Sequence, residues 1–485
     1  MVYFSDLFDV DPDILDEYGA FNISLINDLP LFIDPFLLYA SDKPEYQELH
    51  NGIVKYLSFL KDKAAAGEIT EAKIKRWFSF PEVKQVWFGF SEKGNGGAGL
   101  GSKFGTSMSG AIVNFYKDLG AEKITNSSHL EKLGLFKSGV GKDNISDFTC
   151  NLIKEYLLEY TQTFANRYLD NTCAVEVSVE KVYFDYERET WMPRTYRLPY
   201  INGDYVILTP KDILTKDDTW INFSDMKWSF LKIVQSVENI ELRDKLNDLY
   251  QRCLPPNPKE KDFAAAIERV IRDYPEFMDY YIRMKEEDKE GAQSNSDQLV
   301  SETTTRFISN VQKIIGALAA TKFYELESKG SFTATLERIK YLKDFIENKD
   351  GYRLFYVDGK AVGKEKDLQL LFKLLWFASE YDANAEVNNG RGPVDYKVSA
   401  GVFDNTLVEF KIAQNKKLKQ NLQHQVEVYK AANNTDQALK VILFFTRSEE
   451  QRVLNILKEL EIDNDPNIIL IDATYDKPSA SNVKV

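Results

Sequence analysis

Two short segments near the end of the chain do most to constrain its folding. Val394-Asp395-Tyr396-Lys397-Val398 and Val408-Glu409-Phe410-Lys411-Ile412 both alternate apolar with polar residues, the period of an extended strand whose successive side chains point to opposite faces. Gly401, Asp404 and Asn405 supply turn residues between them, so the pair predicts adjacent strands of one sheet. Gly392-Pro393 leads into the first strand, and Asp395 precedes Glu409 by fourteen residues. Glu409 and Lys411, two apart, share a face, while Val408, Phe410 and Ile412 turn to the core. A carboxylate from each strand and one ammonium are thereby expected at one edge of the sheet.

That combination suits phosphodiester hydrolysis. Mg²⁺ takes a few carboxylate oxygens, keeps several waters and accepts substrate phosphate oxygens, and Asp395 and Glu409 would supply the protein's share. Such an ion polarises the phosphoryl group and lowers the pKa of a bound water. Lys411 beside it would hold the attacking water and offset charge in the transition state. Alone, Asp-x₁₃-Glu-x-Lys is a weak pattern in a chain with 28% charged residues, and solvated strand edges match it too. The flanking elements strengthen it. Gln425 and Tyr429 have the i, i+4 spacing of one helix face, and Ala438-Leu439-Lys440-Val441-Ile442-Leu443-Phe444-Phe445 reads as a buried strand.

Pro393-Val394-Asp395, Glu409-Phe410-Lys411 and the Gln-x-x-x-Tyr of 425–429 together resemble the PD-(D/E)XK phosphodiesterases of restriction-endonuclease-like fold, in their RecB-type branch. The resemblance is confined to the C-terminal part. It implies an α/β core whose mixed sheet is flanked by helices, an Mg²⁺- or Mn²⁺-dependent endonuclease activity, Asp395 and Glu409 as metal ligands, and Lys411, Gln425 and Tyr429 as further catalytic residues. The first helix of this family often presents another carboxylate. Glu365 is the nearest candidate for it, while Glu386, nine residues before Asp395, is the preferred site-lining group. Val394, between Pro393 and Asp395, departs from the strict motif.

The chain carries a formal charge of −14, which excludes a protein that coats nucleic acid at large. A basic strip of Arg391, Lys416, Lys417, Lys419 and Lys430 nevertheless adjoins the proposed site and is expected to contact phosphates. The alternative for Lys416 to Lys419 is an exposed helix start. At 485 residues the chain predicts several domains, in a multidomain α/β and α+β arrangement: an N-terminal module over 1–150, a mixed middle domain over 151–290, a linker and helical connector over 291–345, and the nuclease domain over 346–485. No apolar stretch approaches a membrane span, and Met1-Val2-Tyr3-Phe4-Ser5-Asp6 lacks a basic, apolar leader, so a cytoplasmic location is expected. Cys150, Cys173 and Cys253 form neither a disulfide framework nor a zinc set. His50, His129 and His424 argue against histidine-based chemistry.

Elsewhere the motifs are weaker. The glycine run from Gly94 to Gly105 does not match a phosphate-binding loop and reads as a surface loop. Ser146 or Asp147 is expected to cap a helix starting at Phe148, with a metal role for Asp143 and Asp147 as the alternative. Glu286 to Thr304 is polar and reads as a linker. A long front region joined to a nuclease suggests a sensor and an effector, which by analogy alone implies an anti-phage defence protein acting on nucleic acid, DNA before RNA, with self-association and a phage-derived or protein trigger as expected partners. The rivals are a catalytically silent nucleic-acid-binding or scaffold protein and a nuclease of repair or RNA processing.

Overall fold

The computed structural model describes residues 3–25, 29–78, 80–88, 112, 119–120, 122–136, 140–201, 203–216, 218–305, 308, 330–349, 351–357, 360–361, 365–376, 381–388, 393–399, 404–423 and 437–475. They form a multidomain α/β protein of two compact units, one drawn from the chain up to Thr303 and one from Thr304 onward.

The first unit runs through strand β1 (Phe32–Ile33), helices α1 (Pro35–Ala40), α2 (Pro44–Ala65), α3 (Lys142–Leu152) and α4 (Lys154–Tyr168), the hairpin β2 (Ala174–Asp185) and β3 (Thr190–Ile201), and strand β4 (Leu214–Thr215). Helices α5 (Ile240–Cys253), α6 (Glu260–Asp273), α7 (Glu276–Glu286) and α8 (Lys289–Thr304) follow. Asp34 accepts the Phe36 N–H at 3.0 Å and Pro35 fills the first helical position, so the apolar run beginning at Leu31 becomes strand and then helix. Before that turn β1 pairs antiparallel with β4, Phe32 with Thr215 and Ile33 with Leu214. This pairing crosses the division expected at residue 150, and residues 1–150 and 151–290 belong to one unit.

Two local expectations change. Helix α3 starts at Lys142 because Asn144 accepts the Gly141 N–H at 3.2 Å, which leaves Ser146 and Asp147 inside the helix and removes them as caps. Ser146 Oγ instead accepts the Ile33 N–H at 2.9 Å, and burial, then the charges of Glu82 and Asp143, push Asp147 up to about 7. The supposed linker is helix α8. Ala292, Ser296, Val300 and Thr303 are buried along one stripe, small enough to pack closely, and Ser296 Oγ donates to the Leu214 carbonyl at 2.7 Å. A polar composition concealed a packed face.

In the second unit helix α9 (Ser331–Asn348) is capped from afar, Asp404 accepting the Ser331 N–H at 2.8 Å and its hydroxyl at 2.6 Å. Helix α10 (Glu365–Leu374) precedes a sheet of β5 (Asp382–Asn388), β6 (Pro393–Ser399), β7 (Asn405–Ile412), β8 (Ala438–Phe444) and β9 (Ile468–Asp472), in spatial order β9-β8-β7-β6-β5. The first three strands are antiparallel, as short turns permit, while β8 and β9 add in parallel. Helix α11 (Arg447–Glu459), capped by Thr446, makes the crossover from β8 to β9. Strand β7 is central and buried from Asn405 to Lys411. Phe410 packs against Phe372 and Tyr396, and a second core of Ala413, Leu418, Ile442, Phe444 and Val453 lies under α11.

Candidate functional site

The β6–β7 ladder ends at Val408↔Tyr396. Beyond that pair, the side chains take over the bonds that strands would have made. Asp395 Oδ2 accepts the Phe410 N–H at 2.6 Å, and Glu409 Oε2 accepts the Asp395 N–H at 3.3 Å. The separating strands thus hold two carboxylates between them. Lys411, two residues beyond Glu409, places Nζ 3.3 Å from Glu409, 3.5 Å from Asp395 and 3.7 Å from Glu365, while donating to the Phe410 carbonyl at 2.8 Å.

Glu365 comes from the first residue of α10. Its Oε1 accepts the Asn415 side-chain amide at 3.0 Å and the Ile412 N–H at 3.4 Å, and Oε2 faces Lys411. Asp395, Glu409 and Lys411 converge as the strand pattern predicted, joined by Glu365, the secondary candidate. Glu386, the preferred one, lies on β5; the register that pairs Ala385 with Tyr396 and Val387 with Val394 sets its backbone across from Asp395, and its side chain is outside the described residues. Arg391, His424, Gln425, Tyr429 and Lys430 also lie outside them, as does the glycine run 94–105. Lys416, Lys417 and Lys419 are exposed on the segment after β7, with Lys419 paired to Glu459 at 2.7 Å.

The site is short of positive charge. Burial raises the proton affinity of Asp395, against the pull of Lys411 and the Phe410 N–H. Burial and then the charge of Asp395 push Glu409 up to about 7. Burial alone would pull Lys411 down, but the three carboxylates outweigh it and hold its ammonium protonated. When all three carboxylates are ionised, one ammonium leaves two negative charges unbalanced, and the side chains of Asp395 and Glu409 are 17% and 9% exposed.

Comparison with known proteins adds two matches. Residues 9–222 match a family model described as "Domain of unknown function (DUF8370)", and residues 331–447 match "Domain of unknown function (DUF8371)". The first runs across residue 150, in keeping with the single unit found there, and the second contains Glu365, Asp395, Glu409, Lys411 and Asn415. No curated protein and no solved structure matches the chain. No helix among the described residues is long and apolar enough to cross a membrane.

Asp395 and Glu409 offer hard carboxylate oxygens, the donor type a divalent cation takes. Among the described residues no three His, Cys, Asp or Glu side chains are grouped to hold a metal. One or two carboxylates, with waters and substrate phosphate, are the usual complement for Mg²⁺. Asn415 had no signal in the sequence, because its partner Glu365 lies fifty residues away.

Proposed function

We propose that the protein is a metal-dependent nuclease hydrolysing phosphodiester bonds, DNA in preference to RNA, with its site at Asp395, Glu409, Lys411 and Glu365. The observation that carries this reading is the gathering of three carboxylates around the Lys411 ammonium where β6 and β7 part. A buried cluster of like charges where two inner strands part is costly to keep for stability alone, and perturbed carboxyls concentrate at functional sites. The resemblance to the PD-(D/E)XK phosphodiesterases rests on Asp395, Glu409 and Lys411 among these, together with Gln425 and Tyr429, which lie outside the described residues.

Asp395 and Glu409 would hold Mg²⁺ or Mn²⁺, whose chemistry is to polarise the phosphoryl group and acidify a bound water. Lys411 Nζ, protonated, would donate to the attacking water and face the charge that builds on the phosphoryl oxygens. The Phe410 N–H fixes one oxygen of Asp395, so that group is oriented before substrate arrives. Exposed Lys416 and Lys417 would meet the nucleic-acid backbone. On this reading the first unit serves recognition or control, as in a defence effector answering a trigger.

The test is Mg²⁺-dependent cleavage of plasmid, linear duplex, single-stranded DNA and RNA by wild type, Asp395→Asn and Lys411→Ala. Cleavage of DNA by wild type and a loss of a hundredfold or more in both variants is expected, on the order seen when a transition-state donor is removed. Equal cleavage by all three proteins would place the chemistry elsewhere and sink the proposal.

A further inference from the structure

We infer that Lys440 on β8 is a further substrate-binding residue of the same site, its ammonium meeting a phosphate of the nucleic-acid strand on the side of Glu409 away from Asp395. The inference rests on the nuclease reading above and adds to it a cation from a third strand.

The register of the sheet builds the arrangement. Glu409 pairs with Lys440 across the parallel β7–β8 ladder. On the other side of β7, the antiparallel pair Val408↔Tyr396 sets Asp395 opposite Glu409 one step further on. Register partners leave a sheet on the same face, so Asp395, Glu409 and Lys440 form one row across three adjacent strands, spaced about 4.8 Å apart. The next residue of β8 on this face, Ile442, joins Phe444, Ala413, Leu418 and Leu422 in a closed core. Every residue of β8 except Lys440 is buried. The face therefore opens to solvent in the row that holds the two carboxylates, and the residue of β8 at that opening is a lysine. Strand formation does not call for it, since lysine is a poor strand former and the other six residues of β8 are apolar. Lys440 Nζ donates to the Leu422 carbonyl at 3.3 Å, which holds the ammonium toward the segment whose first residues, Lys416 and Lys417, are exposed. An ammonium carries three donors, so that bond is compatible with a phosphate oxygen as a further acceptor. A polyanion approaching this row meets two carboxylates that repel it, and a cation on the next strand offsets the repulsion where the backbone would pass.

The experiment is Mg²⁺-dependent cleavage of a DNA oligonucleotide by the full chain across a series of salt concentrations, alongside thermal melting by circular dichroism, for wild type, Asp395→Asn, Lys440→Met and Lys440→Arg. Lys440→Met is expected to raise KM on the order of tenfold at about 50 mM salt, the loss falling on KM rather than kcat, and to reduce the slope of log KM against log salt by about 0.9, the share of one phosphate contact. Lys440→Arg, which keeps the charge, is expected to restore both. Lys440→Gln, neutral but still able to donate to the Leu422 carbonyl, carries the same expectation as Lys440→Met if the methionine variant does not fold. An unchanged KM and salt slope in Lys440→Met, or a lower melting temperature with the wild-type slope, would overturn the inference. If wild type cleaves, Asp395→Asn does not, and Lys440→Met keeps the wild-type slope, only the inference fails. If wild type cleaves nothing, or Asp395→Asn cleaves as wild type does, the nuclease reading fails and takes the inference with it.

Discussion

Replacing Lys411 with methionine keeps the buried stem and removes the charge, and its cost follows from the geometry. The ammonium lies 3.3, 3.5 and 3.7 Å from three carboxylates. At an effective dielectric of about 20, one such pair is worth ~5 kcal/mol before desolvation is subtracted. The three carboxylates share one ammonium, so their energies do not add. Removing one partner of a buried charge pair costs about 3–5 kcal/mol, chiefly because the other is stranded. The sign of the pH dependence is fixed by Glu409. Its folded pKa, at about 7, lies above its unfolded value, so the folded chain takes up a proton there that the unfolded chain releases. Ionising that carboxyl therefore subtracts stability as pH rises through the interval, and losing Lys411 pushes its pKa higher still. The penalty of Lys411→Met is full above that range and fades below it, where Glu409 takes up its proton. Native-state hydrogen exchange at the Phe410 and Ile412 amides reads the opening of β7 itself, apart from melting of the other unit. At pH 8.5 and without divalent ion, exchange corrected for its intrinsic rate is expected to be on the order of a thousandfold faster in the variant. Protection within tenfold of wild type at pH 8.5, or a penalty that does not change with pH, would refute the electrostatic account.

In the first unit, Glu131 is 1% exposed beside Asp34; burial and then the Asp34 charge raise its pKa well above the carboxylate range, while burial pushes Asp34 up to about 6. Both folded pKa values are raised, so stability falls as pH rises. Glu131→Gln is expected to gain on wild type by up to about 1.4 kcal/mol per pH unit where only the folded wild type keeps that proton, as urea titrations at pH 5 and 8 would measure. Glu286 accepts from the Asn126 and Ser127 N–H groups, the Asn126 side chain and His129 at 2.7–3.1 Å; Glu286→Ala should cost about 2–4 kcal/mol by stranding those donors, seen as a lower melting temperature. Phe410→Ala, emptying a fully buried position between Phe372 and Tyr396, should cost about 3–5 kcal/mol in chemical denaturation.

What the sequence could disclose was local. Alternation around Asp395 and Glu409 sufficed to predict two paired strands and a shared edge, because strand periodicity and turn residues are properties of neighbours. The same reasoning preferred Glu386, close in sequence, to Glu365, which reaches the site only because α10 packs against β7. It also placed Ile412 in the core and Glu409 and Lys411 on the opposite face, at one edge of the sheet. In the fold, β7 is central, Glu409 and Lys411 are buried, and Ile412 is partly exposed. Burial of the second face comes from elements that no local window contains. The supposed linker failed for the opposite reason: polarity between 286 and 304 is real, but Glu286 is buried against a loop 160 residues earlier, and the small residues of α8 pack inward.

The two buried acidic clusters show why a perturbed carboxyl does not by itself identify a site. Asp34 and Glu131 are raised as clearly as Asp395 and Glu409, yet Asp34 accepts the Phe36 and Trp220 N–H groups at 3.0 and 2.7 Å and is 2% exposed. Both carboxyls are held neutral more readily than free ones because burial disfavours their charge, and the result is a pH-dependent strut. Glu286 meets four donors and needs nothing more. Around Lys411 the balance differs. The ammonium is engaged by three carboxylates at once, two of them sit where a strand ladder stops, and Glu365 is 25% exposed, so charge from outside can reach them. Protonation would quiet this cluster but also remove its ligands, whereas a divalent cation would neutralise it and keep them. The unfilled demand for positive charge at a place open to solvent, more than any shifted pKa, is what favours a site over a strut.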